Sequence, residues 1–137
     1  MTKVCIDTNV WASGIVFTGA PKLIVDAALA RKFDTVCSGF ILNELESVLV
    51  RKFQITTKSF RRIRFRIEQV ADLYNPPGQV NIVPGKHPDN LVLETALLGK
   101  ADFIVTGDKQ HLLPLKRFKH IKIVSPTALL DYLNLES

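Results

Sequence analysis

The stretch VCIDTNVWASG, residues 4–14, opens with an apolar run that stops at an aspartate. VCIDTNV, 4–10, reads as a strand that carries Asp7 toward its carboxyl end. Taken singly, an Asp in that place is a turn former that folds its side chain onto its own backbone. It acquires another meaning only if other carboxylates, distant in sequence, arrive at the same place. The rest of the chain decides that.

Outward from this stretch the pattern alternates. PKLIVDAALARK, 21–32, reads as a helix with Pro21 in its first turn, and FDTVCS, 33–38, as a second strand. GFILNELESVLVRKF, 39–53, puts Leu42, Leu45, Leu49 and Phe53 on one helical face. The stretch 56–74 is a further helix, striped by Phe60, Ile63, Ile67 and Val70, and NPPG, 75–78, breaks it. QVNIV, 79–83, reads as a short strand, NLVLETALLGK, 90–100, as a helix and ADFIVTG, 101–107, as a strand. DKQHLLPLK, 108–116, supports a short helical turn that Pro114 interrupts. IKIVS, 121–125, closes the strands, and a helix opened by Pro126 runs over 126–136. Strands alternating with helices predict an α/β fold: a central, mostly parallel sheet of about five strands with helices on both faces. At 137 residues one domain, 1–137, is expected.

Composition narrows the class. The chain is 47% hydrophobic and 23% charged, ordinary for a globular domain that buries about 68% of its unfolded surface. No window holds 18 apolar residues, and no charged leader followed by an apolar run opens the chain. Neither a membrane span nor a signal peptide is therefore expected, and a reducing cytoplasm fits. Cys5 and Cys37 lie in strand-like runs, better explained as buried free thiols than as a disulfide or metal pair. A net charge of +5 is a modest bias toward polyanions, above all nucleic acid.

The acids fall in a pattern on this map. Asp7 ends the first strand, Glu44 lies early in the helix after the second, Asp89 opens the helix after PGKHP, and Asp108 follows ADFIVTG. In an open parallel sheet these positions share the edge at which ligands bind. Taken one by one, Glu44 reads as a solvated helix residue, Asp89 as a helix cap and Asp108 as a turn residue. Taken together they conflict, because two unit charges about 4 Å apart repel by about 4 kcal/mol at an effective dielectric of about 20. A bound divalent cation relieves this, and oxygen-only donors suit Mg²⁺ or Mn²⁺. Such an ion activates water and neutralises charge at a phosphate.

The basic residues are less specific. RRIRFR, 61–66, turns Arg61, Arg62 and Arg66 outward, either as a solvated face or, with Lys109, as contacts to phosphates. Lys116, Arg117, Lys119, His120 and Lys122 form a second cluster. His111 and His120 lack zinc-ligand spacing and are expected to be exposed, while His87 is either a phosphate contact or a loop residue without a role. Trp11 and Phe17 are expected in the core or between subunits, with base stacking as the lesser alternative.

VCIDTNVWASG, SGFILNELESVLVRKF, HPDNLVLETALLGKADFIVTGDKQHLL and IKIVSPTALLDYL together resemble the PIN-domain family over nearly the whole chain. Within it they resemble the toxin components of toxin–antitoxin systems, of which VapC-like ribonucleases are relatives. The resemblance implies a three-layer PIN-like fold and a divalent-metal-dependent endoribonuclease. It places the family's acids, catalytic and metal-binding, on Asp7, Glu44, Asp89 and Asp108, with Mg²⁺ or Mn²⁺ as cofactor. Thr8, Asn9, Asn90 and Thr106 match polar positions that orient a carboxylate or metal-bound water. It further implies RNA as substrate, a separate antitoxin chain as inhibitor and a homodimer.

Two stretches depart from the family pattern. Relatives often read D-P-x-D-N where this chain has His87-Pro88-Asp89-Asn90, and carry another acid where Gln110 and His111 follow Lys109. The missing accessory acids at 87 and 110 keep open a second class of function: a catalytically degenerate PIN fold that binds RNA or protein. An aspartyl-nucleophile phosphatase is disfavoured, because its second Asp would stand where Asn9 does.

Overall fold

The computed structural model describes residues 1–85 and 87–134. Its centre is β1 (Lys3–Ile6), buried from Val4 onward as befits a strand covered on both faces. The chain first builds outward from β1. Helices α1 (Thr8–Val16) and α2 (Ala20–Leu29) lead to β2 (Asp34–Ser38), and α3 (Gly39–Phe53) and α4 (Thr57–Val70) lead to β3 (Ala71–Tyr74). It then crosses to the other side of β1 through α5 (Asp89–Leu98), β4 (Phe103–Val105), β5 (Arg117–Phe118), β6 (Ile121–Val124) and α6 (Pro126–Leu133). The resulting six-stranded sheet has the order β3-β2-β1-β4-β6-β5, parallel except for β5 against β6.

Helices cover both sides of the sheet. α5 lies against β1, β2 and β4, whereas α1 packs on α2 and α3, α2 on α4 and α6, and α3 on α4. Gly14 permits the α1–α2 approach, since a Cβ there would meet the Pro21 carbonyl oxygen at 2.6 Å. Cys5 and Cys37 are buried and unpaired, and burial pushes the Cys37 thiol up to about 12. Trp11 is fully buried, while Phe17 lies at the surface, edge-on to Phe53 at 5.5 Å. Among the described residues no single helix is long and apolar enough to cross a membrane.

Four local readings change. The first strand stops at Ile6, and Thr8–Val16, expected in part as strand, is helical. Asp7 turns the chain: its carboxylate accepts the Thr8 N–H at 2.8 Å, and its carbonyl accepts those of Val10 and Trp11. The helix expected over 56–74 ends at Val70, because Ala71–Tyr74 pair with Thr35–Ser38 and complete the hydrogen bonding of β2. QVNIV is not a strand. The backbone N–H groups of Ile82 and Val83 donate to Asn90, and those of Gly78 and Gln79 donate to the Glu94 carboxylate. The turn expected to break at Pro114 is instead a short 3₁₀ turn, Leu113–Leu115, built around that proline. The last helix ends at Leu133, capped by Asn134 in the left-handed conformation, and residues 135–136 of its expected span lie outside the described residues.

Candidate active site

The strand order reverses direction between β1 and β4, which lie side by side with Ile6 opposite Val105. A crevice at the carboxyl ends of strands forms at such a switch point. Asp7 leaves β1 there, and Thr106-Gly107-Asp108 leave β4 there.

Polar side chains lock these two strand ends together. Asp7 is 4% exposed. Its Oδ2 accepts the Thr106 hydroxyl at 2.7 Å and the Asn9 amide at 3.1 Å. The same Thr106 oxygen accepts the Asp108 N–H at 3.0 Å, and Asn9 Oδ1 accepts the Gly107 N–H at 3.1 Å. Asp108 ties down the turn that follows it: Oδ1 accepts the N–H groups of Gln110 and His111, and Oδ2 that of Leu112.

Glu44 reaches the crevice from α3, which Ser38 caps through the Ile41 N–H at 3.2 Å. Thr8 donates its hydroxyl to Glu44 Oε1 at 2.9 Å, fixing that carboxylate beside Asp7. Asp89 is the first residue of α5, not its cap, and makes no capping bond with its side chain. Its Oδ2 instead lies 3.2 Å from His87 Nδ1 and 3.6 Å from His111 Nδ1, and the latter nitrogen is also 3.6 Å from Asp108 Oδ2.

The four carboxyls sense one another. Burial pushes Asp7 and Glu44 above their ordinary range, against hydrogen bonds from Thr106 and Thr8, and the charges of Asp108 and Asp7 respectively add to the rise. Burial and the neighbouring Asp108 push Asp89 up to about 7, with the charges of Asp7 and Glu44 contributing. Burial would raise Asp108 too, but the Asp89 carboxyl and the three backbone N–H groups hold it below the ordinary range. Asp89 and Asp108 thus titrate as a pair that keeps a proton near neutrality, chiefly on Asp89.

The donor set fits a divalent cation. Asp7 and Asp108 each accept three hydrogen bonds, whereas Glu44 accepts only the Thr8 hydroxyl and Asp89 accepts none from the described residues. Free lone pairs therefore concentrate on Glu44 and Asp89. Oxygens of Asp7, Glu44, Asp89 and Asp108 could hold an ion whose charge offsets their mutual repulsion.

Several expected positions resolve differently. Thr8, Asn9 and Thr106 touch the acids, but Asn90 does not serve them. Its amide is taken up by Ile82 and Val83, fixing the loop. His111, expected to be exposed and without ligand spacing, sits in the cluster, its ring 4.3 Å from that of His87. No motif spacing links residues 87 and 111; they meet because a loop before α5 and a turn after β4 end at one sheet edge. Arg61, Arg62, Arg66 and Lys109 are solvent-exposed. Arg66 lines a cavity of about 180 Å³ with Trp11, Lys22 and Ile63. The arginine that reaches α3 near Glu44 is Arg64, donating to Asn43 Oδ1 at 3.1 Å. His120 and Lys122 line a surface hollow with Met1 and Asp102, at the sheet edge opposite the acids.

The sequence profile described as PIN domain matches residues 3–110, a span that holds all four acids and stops one residue before His111. No curated protein matches the chain.

Proposed function

The chain belongs to the PIN-domain family, a nuclease-type fold, and from that premise we propose that it is a Mg²⁺- or Mn²⁺-dependent endoribonuclease. The observation that carries this reading is the convergence of Asp7, Glu44, Asp89 and Asp108 at the β1–β4 switch point, with Asp89 pushed up to about 7. A divalent ion held by these acids would supply positive charge at the scissile phosphate and make water a stronger nucleophile. Asp7, clamped by Thr8, Asn9 and Thr106, fixes one side of that site rigidly. Asp89, whose carboxyl accepts no hydrogen bond from the described residues, would hold the ion from the other side of the crevice. Arg61, Arg62, Arg66 and Lys109 hold the RNA backbone away from the reacting phosphate. The resemblance of the motifs supports a toxin role, a separate antitoxin that blocks the crevice, a homodimer and a place in the cytoplasm.

The test is cleavage of a mixed RNA pool by wild type and Asp7→Asn, in MnCl₂ and in EDTA. Fragments that appear with wild type in MnCl₂ alone support the reading. Equal cleavage by Asp7→Asn, or cleavage that survives EDTA, overturns it. The absent acids at 87 and 110 favour the second reading, a degenerate binding module. That reading predicts RNA retention without fragments even at saturating Mn²⁺, and growth unaffected by expression of the chain.

A further inference from the structure

We propose that His87 and His111 are ligands of the divalent ion at Asp89, so that this site prefers Mn²⁺, Ni²⁺ and Zn²⁺ over Mg²⁺. The inference rests on the reading that Asp89 is a metal ligand, and it departs from the oxygen-only donor set.

Three donors of a tridentate site already face one another. One ligand atom each from His87, Asp89 and His111 lies within 4.8 Å of the other two. The local structure aims both rings. Nδ1 of His87 accepts the Asp89 backbone N–H at 3.0 Å, which holds the imidazole against the start of α5. The His111 N–H donates to Asp108 Oδ1 at 3.2 Å, and the next residue, Leu112, is buried and anchors the turn. The two side chains are 33% and 37% exposed, so an ion reaches them without opening the core.

The electrostatics agree. His87 Nδ1, which accepts the Asp89 N–H, lies 3.2 Å from Asp89 Oδ2, so a nitrogen and a carboxylate oxygen stand side by side at the start of α5. An ion seated beside Asp89 Oδ2 takes the His87 Nδ1 lone pair in place of the Asp89 N–H. Imidazole nitrogen is a poor partner for Mg²⁺, which demands oxygen at near-octahedral geometry. It suits Mn²⁺ and binds the later first-row ions more strongly still.

The experiment uses the full chain and three ions. Mn²⁺ is added and its nitrogen hyperfine coupling is recorded by pulsed electron paramagnetic resonance. Calorimetry gives affinities for Mg²⁺, Mn²⁺ and Ni²⁺ in wild type, His87→Ala/His111→Ala and the surface control His120→Ala. Expected are a nitrogen coupling in wild type and an Ni²⁺ affinity about tenfold or more above that for Mg²⁺. The double variant is expected to lose the coupling and about tenfold or more of its Ni²⁺ and Mn²⁺ affinity, with Mg²⁺ little changed. His120→Ala is expected to behave as wild type. Mn²⁺ binding without nitrogen coupling in wild type overturns this proposal and leaves the acidic metal site standing, and that spectrum decides even if the double variant folds poorly. Absence of binding by any of the three ions overturns both.

Discussion

Thr106 is the smallest group on which the site depends. Its hydroxyl donates to Asp7 and accepts from the Asp108 N–H, so one oxygen sets the spacing of two acids from different strands. Thr106→Val keeps the shape but removes both bonds. The half-buried N–H of Asp108 then lacks its partner, at a cost of about 1 kcal/mol or more. Metal affinity is expected to fall by roughly 10–100-fold, as when a ligand loses its supporting hydrogen bond, and titration calorimetry with Mn²⁺ reads it. Asp89 gives a second expectation at this scale. Its carboxyl rises from 3.8 to about 7 on folding, so the folded protein holds a proton that the unfolded chain has released. Its contribution to stability is complete below about pH 4 and is lost as pH rises toward 7. Asp108, shifted downward, acts in the opposite sense but only below its ordinary value of 3.8, outside that window. Metal-free protein is therefore expected to lose stability between about pH 4 and pH 7, and Asp89→Asn to flatten that slope. Urea midpoints in EDTA at the two pH values measure it, and parallel slopes for the two proteins would reject it.

At the scale of elements, α5 organises more than its own turn. Asn90 and Glu94, one helical turn apart, hold the backbone of the preceding loop at Gly78, Gln79, Ile82 and Val83. Glu94→Ala is expected to free the amides of 78 and 79, raising hydrogen exchange over 78–83 while β1 and β4 keep their protection. Unchanged exchange in that loop would mean that Glu94 does not hold it. These contacts also explain which elements could be read in advance. α3 was legible because Leu42, Leu45 and Leu49 recur on one helical face, which the fold buries. α1 was not: Thr8, Val10, Trp11, Ala12 and Gly14 are all buried, so only Asn9 and Ser13 are left to mark a polar side, and Thr, Val and Gly are poor helix formers. QVNIV has a strand's composition, yet α5 side chains satisfy its backbone, a long-range fact that no local pattern carries. The α4–β3 junction was hidden similarly, because the partner that makes Ala71–Tyr74 a strand is β2.

For the whole molecule, topology does what the individual acids cannot. Each carboxylate has an ordinary local reading, but strand alternation alone sends all four to the carboxyl edge of one sheet, and the β1–β4 switch point opens the crevice between them. That part of the site was legible from order and spacing. The histidines were not, because their meeting depends on the course of two loops rather than on strand order. Convergence of charge also has a global consequence. The acids destabilise one another in the metal-free fold, and the unfolded chain, in which they are dispersed, escapes that repulsion. A bound ion relieves that repulsion and stabilises the fold by mass action, about 2.7 kcal/mol at a concentration one hundredfold above its Kd. For a chain of 137 residues, at about 3–4 °C per kcal/mol, the melting temperature is expected to rise by roughly 8–11 °C. Asp89→Asn removes the carboxylate with the most unengaged lone pairs, so it is expected to show little of this rise, yet to melt no lower than wild type without metal. Thermal unfolding of both proteins with and without MnCl₂ separates the cases. If Asp89→Asn melts lower without metal and neither protein responds to Mn²⁺, Asp89 supports the start of α5 and the acids do not form a metal site.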